Sequence, residues 1–127
     1  TGHEGVQFTV HADDVWATLT RIETLVQEGK PGLPLRAIRL NIATALHLVV
    51  HLSRVRLSDG SETRRVSGIG EVRDRLEGEE IVAEMLWEWD PEAEALRWTR
   101  NFPTESLRGR LQRRAGYDFR AEVAKIG

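Results

Sequence analysis

The sequence predicts a mixed α/β chain, and three observations carry that expectation. Two apolar stripes in the first half repeat at helical spacing, one at Val15, Leu19, Ile22 and Val26 and the next at Leu35, Ile38, Ile42 and Ala45. Two later stretches alternate as strands do, and each is broken by a turn-forming cluster, Ser58-Asp59-Gly60 in one and Asp90-Pro91 in the other. Of the 127 residues, 40% are hydrophobic and 30% charged, which suits one ordinary folded domain and excludes a wholly disordered chain.

Taken in order, Gln7-Phe8-Thr9-Val10-His11 has β-propensity and predicts a short opening strand. Asp13 or Asp14 then offers an N-cap, because a carboxylate accepts an amide that the helix itself leaves unpaired. The first helix stops at Gly29-Lys30-Pro31-Gly32. Pro34 suits the first turn of the second helix, where a missing N–H costs no hydrogen bond. Arms near 48–57 and 64–72 form one predicted hairpin, and arms near 81–89 and 95–100 form another. Thr104 caps a closing helix that carries Leu107 and Leu111 and ends at Gly116. Arg108, Arg110, Arg113 and Arg114 sit towards its C-terminal end, where positive charge suits the helix dipole. The tail after Tyr117 has no clear period. The opening strand has no evident partner, so it reads as the inner strand of a sheet whose other members lie elsewhere. The first residue is Thr1 and the sole methionine is Met85, so the expectation is a piece excised from a longer protein.

Several function classes fall away on composition. Eighteen Lys+Arg against 20 Asp+Glu give a net charge of −2, so no global field favours nucleic acid or an anionic membrane. The arginines also interleave with acids, and only Lys30 and Lys125 are lysines. The absence of cysteine removes disulfides, thiolate catalysis and thiolate metal sites together. No apolar run approaches the length of a membrane-spanning helix.

The most specific stretch is Thr1-Gly2-His3-Glu4-Gly5 followed by Thr9-Val10-His11-Ala12. Two histidines eight residues apart bracket the predicted strand, and Gly2 and Gly5 permit close backbone approach to a ligand. Imidazole can donate to a phosphate oxygen, and its charge is near balance at neutral pH. On composition alone, a turn and a surface histidine explain the same residues. His47 and His51 are spaced i,i+4, but no Glu lies between them and no third ligand is implied, so no metal site is expected. Glu77, Glu79, Glu80, Glu84 and Glu88 read as a solvated strand edge and turn. Trp87 and Trp89 share one strand face with Trp98 across from them, as a small satellite core or a docking surface.

The opening motif T-G-H-E-G…T-V-H-A resembles the histidine box of the type II/type IV secretion ATPase superfamily. It is most similar to the CpaF-like ATPases of tight-adherence (Flp) pilus systems. The resemblance continues through Leu19-Thr20-Arg21-Ile22-Glu23-Thr24, Leu33-Pro34-Leu35-Arg36-Ala37-Ile38-Arg39 and Ile42-Ala43. It then takes in Ser58-Asp59-Gly60, Arg64-Arg65-Val66, Glu71-Val72 and the stretch from Pro103 to Gly116. Departures are Val6, Asp13-Asp14 and Val15-Trp16, where relatives often carry Ser, Asn-Ser and Pro-Arg.

That resemblance implies that residues 1–127 are the C-terminal portion of a RecA-like P-loop NTPase motor domain with two appended antiparallel hairpins and a C-terminal helix. His3 and His11 would be the catalytic histidine-box pair near the γ-phosphate. Gly2, Thr9, Arg21 and Arg39 would lie at the nucleotide or at a subunit contact, although helix-surface salt bridges account for the two arginines equally well. The parent would bind ATP and Mg, assemble as a hexameric ring of identical subunits, and act on a platform protein at the cytoplasmic face of the inner membrane, without nucleic acid. No G-x-x-x-x-G-K-[ST] phosphate loop occurs in the chain, and the family's Walker B acid precedes the histidine box. The fragment alone is therefore expected to bind no cofactor and to turn over no ATP. The alternative is a non-enzymatic oligomerisation or docking module of such a system.

Overall fold

A computed structural model describes residues 7–126 of the chain. Helix α1 spans Val15–Gly29 and α2 spans Leu35–Ala45. Four strands follow, β1 at Leu48–Arg56, β2 at Glu62–Glu77, β3 at Glu80–Asp90 and β4 at Ala95–Trp98. Helices α3, Glu105–Ala115, and α4, Phe119–Ala124, close the chain. The mixed α/β class is therefore as the sequence predicts.

Asp14 caps α1, its side chain accepting from the Ala17 amide at 2.7 Å. Pro34 sits at the N-cap of α2, one position before the helix proper. Thr104 caps α3 by accepting from Leu107, and Gly116 ends it in the left-handed conformation at φ 64°. The unperiodic tail forms the short helix α4, capped by Asp118.

The two predicted hairpins are not separate. A third turn, through Gly78 at φ 60°, joins β2 to β3, and the four strands form one antiparallel sheet in the order β1-β2-β3-β4. Glu77 and Glu80 face each other across that turn, so the acidic run lies at and beyond a hairpin. In the first hairpin the Asp59 carboxylate accepts from the amide and hydroxyl of Ser61, which holds its carboxyl below the ordinary range.

The expected opening strand is corrected. Residues 7–12 belong to no strand, because no backbone ladder reaches them among the described residues. A strand exists only through a paired neighbour, and β1 stands off with a cavity between.

One sheet face is covered by α1 and α2. Val15, Leu19 and Ile22 of α1 and Ile38 and Ile42 of α2 pack with Val49 and Val72, and Ile81, Ala83 and Met85 border them. Alternation along β2 and β3 turns Glu71 and Leu86 to the opposite face. There the buried Glu71 carboxylate accepts from the Thr104 amide at 2.9 Å and hydroxyl at 2.5 Å, and Arg73 Nη1 lies 2.7 Å away. A buried carboxylate is stable only when paired and hydrogen-bonded, and these contacts tie the start of α3 to the sheet.

Close approach of α1 depends on Gly70. A Cβ there would lie 3.3 Å from Val15 Cγ1 and 3.2 Å from Met85 Sδ. Gly70→Leu should therefore overpack this contact and cost about 1–3 kcal/mol in urea unfolding. An unchanged unfolding midpoint would show that α1 is not seated there.

Candidate functional site

The sequence singles out His3, His11, Gly2, Thr9, Arg21 and Arg39. His3 and Gly2 lie outside the described residues. Thr9 and His11 are exposed on the irregular segment that leads into α1.

His11 stands on the rim of two concavities. One is an open surface hollow lined by His11, Ala12, Asp13 and the Ala17, Thr20, Arg21 and Thr24 face of α1. Residues 17, 20, 21 and 24 share one helix face by their three- and four-residue spacing, so the cap at Asp14 aims that face beside His11. His11 and Arg21, ten residues apart in the sequence, thus line the same hollow. Among the described residues, Arg21 is exposed and makes no hydrogen bond or ion pair.

The other concavity is a cavity of about 500 Å³ between residues 7–12 and β1, with Thr18, Ile22 and Leu46 also in its lining. Thr9 and His11 line it too, so Thr9 is placed with His11 but on the side away from Arg21.

Arg39 belongs to neither. Its Nε donates to Glu23 Oε1 at 2.8 Å, and its Nη1 donates to the Glu79 carbonyl at 3.0 Å and approaches Glu80 at 3.4 Å. The Glu23 hydrogen bond raises the guanidinium pKa, against the opposing effect of burial, with attraction to Glu23, Glu80 and Glu79 adding to the rise. Arg36 reaches the same turn through the Gly78 carbonyl at 2.8 Å. Together these arginines lock α1, α2 and the β2–β3 turn, and Arg39 holds acidic residues of its own chain.

The sequence offered no role for His51 beyond a possible metal pair. His47 precedes β1 and His51 lies on it, so four residues separate them by about 13 Å at strand rise. No group of three potential metal ligands occurs among the described residues. His51 Nε2 lies 2.9 Å from the Ala12 carbonyl oxygen, which can only accept, so Nε2 carries a proton and donates. In the neutral ring Nδ1 is then the acceptor, with the hydroxyls of Ser67 at 3.0 Å and Ser53 at 3.2 Å beside it. This network ties residues 7–12 to the sheet next to His11. Only its alternation in β1, with His51 and Ser53 on one face, marked it in the sequence.

The tryptophans divide. Trp87 opposes Trp98 across β3 and β4, while Trp89 opposes Leu96. Trp98 stacks on Phe102 at 5.4 Å and meets Phe119 edge-on at 6.1 Å, and its Nε1 donates to the Asn101 carbonyl at 2.8 Å. Arg108 and Arg120 lie over Phe102 at 5.9 and 5.4 Å. These two arginines therefore help cover an aromatic cluster that holds α4 in place.

No protein-family model matches the chain, and no curated protein matches it. No helix among the described residues is long and apolar enough to cross a membrane.

His51→Ala should release residues 7–12 from β1 at a cost of about 1 kcal/mol. The heteronuclear NOE of the Val10, His11 and Ala12 amides should then fall towards flexible-chain values. Values equal to those of the unsubstituted chain would show that the tether is not formed.

Proposed function

We propose that this chain is the C-terminal part of a RecA-like ATP-hydrolysing motor for type II/type IV secretion or pilus assembly, supplying histidine-box and subunit-contact residues. The observation that carries the reading is that His11 and Arg21 line one open hollow beside α1. Both lie in stretches that carry the resemblance to that superfamily. An imidazole N–H and a guanidinium on the lining of one hollow suit a terminal phosphate or an acidic neighbour, as charge-assisted donors do.

The chain's own donors fit only part of a nucleotide. The sequence has no phosphate loop, and the described residues hold no group of three metal-ligating side chains, so Mg and most of the phosphates would be held by other parts of the parent. In phosphoryl transfer the protein mainly positions groups and neutralises charge. His11 and Arg21 would contribute to the second task at one end of the substrate. Identical subunits in a hexameric ring, a platform protein at the cytoplasmic face of the inner membrane, and no nucleic acid complete the proposal. Residues 7–12, bare of ladder partners, are where this reading calls for neighbouring strands from the parent. The all-antiparallel sheet beside them would be an appendage to that motor.

Two outcomes test it. The 127-residue chain should show no saturable heat with Mg-ATP in calorimetry and release no phosphate, and micromolar binding with turnover would contradict the fragment reading. In the longer parent, His11→Ala should lower kcat at least tenfold, within the span typical of one lost transition-state donor, while the melting temperature holds. Unchanged hydrolysis would assign His11 a structural role.

A further inference from the structure

We infer that the recess between the first turn of α1 and the end of β3 is a binding site for the guanidinium of an arginine side chain presented by another polypeptide. Asp13, Asp14 and Trp16 line it from the start of α1, and Glu88 and Trp89 line it from β3. Its volume of about 330 Å³ is near the lower end for small-ligand sites and suits one inserted side chain. Asp13 is the one residue it shares with the hollow at His11 and Arg21, so the recess can be filled whatever that hollow meets.

Local folding explains why these groups stand open. Successive helical residues point about 100° apart, so burying Val15 against Gly70 turns Trp16 away from the core, and 51% of it is exposed. Glu88 opposes Arg97 across β3 and β4, yet Arg97 is paired with Asp90 at 3.0 Å. Among the described residues, Asp13 and Glu88 make no hydrogen bond or ion pair, and Trp16 and Trp89 make no ring contact and no bond from the indole N–H.

These groups complement one kind of ligand. Three carboxylates and two indoles line the recess with no lysine or arginine, and both ring nitrogens of His51, which also reaches it, are already hydrogen-bonded. Indole faces attract a cation, and carboxylates accept from its N–H groups. A metal ion is a poor occupant, because no group of three potential metal ligands occurs among the described residues. A quaternary ammonium has no N–H for the carboxylates, and a lysine ammonium is a point charge that cannot lie flat on an indole. Guanidinium does both, with its donors in one plane. Free arginine carries a carboxylate of its own, which Asp13, Asp14 and Glu88 would repel. An arginine within a peptide presents the cation alone.

The probe is a capped glycine–arginine–glycine tripeptide added to the isotope-labelled 127-residue chain, with the indole N–H signals followed by NMR. The Trp16 and Trp89 signals should shift saturably, while that of Trp98, whose Nε1 donates to Asn101, should hold. The same tripeptide with citrulline, which keeps the shape and loses the charge, should shift neither. Lysine in place of arginine, Trp16→Ala and Glu88→Gln should each weaken binding about fivefold or more. Trp16 and Glu88 are both exposed, so these substitutions leave the fold intact. Unmoved Trp16 and Trp89 signals would overturn the inference, as would equal binding by the citrulline or lysine peptide or by the Glu88→Gln chain. On dilution of the chain alone, signals that move assign the arginine to a second copy, and signals that hold assign it to a different protein.

Discussion

The contact between Val15 and Gly70 sets the position of nearly everything that bears on function. Val15 is the first residue of α1 and is almost completely buried, with its branched methyl groups against the bare backbone of β2. Because a helix is stiff, seating its first turn there fixes the direction of the whole of α1, and hence the face that carries Arg21. It also fixes where the preceding chain must enter. Asp14 closes the helix end immediately before this contact, and residues 7–12 are delivered beside β1.

Around that seat, polar groups are used as fasteners between elements. Glu23 and Arg39 join the two helices, Arg36 and Arg39 hold the β2–β3 turn, Glu71 holds the start of α3, and His51 holds Ala12. Each is worth little where it is exposed to water. Glu71 is different, since removing its partners would strand a buried carboxylate. Among the described residues, the division of labour leaves His11 and Arg21 uncommitted at the surface, on the lining of one hollow. An exposed arginine with no internal partner among the described residues is cheap in folding terms.

Much of the fold was legible because its cause is local. Caps at Asp14, Thr104 and Gly116 and the Asp59-Gly60 turn follow from side-chain chemistry within a few residues. The third hairpin was harder to see, since Glu77-Gly78-Glu79-Glu80 lacks the usual turn dipeptides and its flanking acids suggested only a solvated edge. The opening strand misled for the opposite reason: Gln7 to His11 has the right propensity, but a strand is made by a neighbour that the local sequence does not name. α4 was invisible because six residues give no period, and its anchors, Trp98 and Phe102, come from β4 and the loop after it. Of the candidate site, resemblance pointed to His11 and Arg21, while the His51 tether needed the register of β1 on β2 to bring Ser67 alongside.

A nucleotide-facing role for the hollow at His11 and Arg21 is tested most directly by one distance. A crystal structure of the longer parent with Mg and a non-hydrolysable ATP analogue would give the separation between the His11 ring nitrogens and the terminal phosphate oxygens. Direct contact at about 3 Å, or about 5–6 Å with one water between, is the result a phosphate-sensing imidazole requires. A ring turned to bulk solvent more than about 10 Å from the phosphate, beyond the reach of any single bridging water, would contradict it.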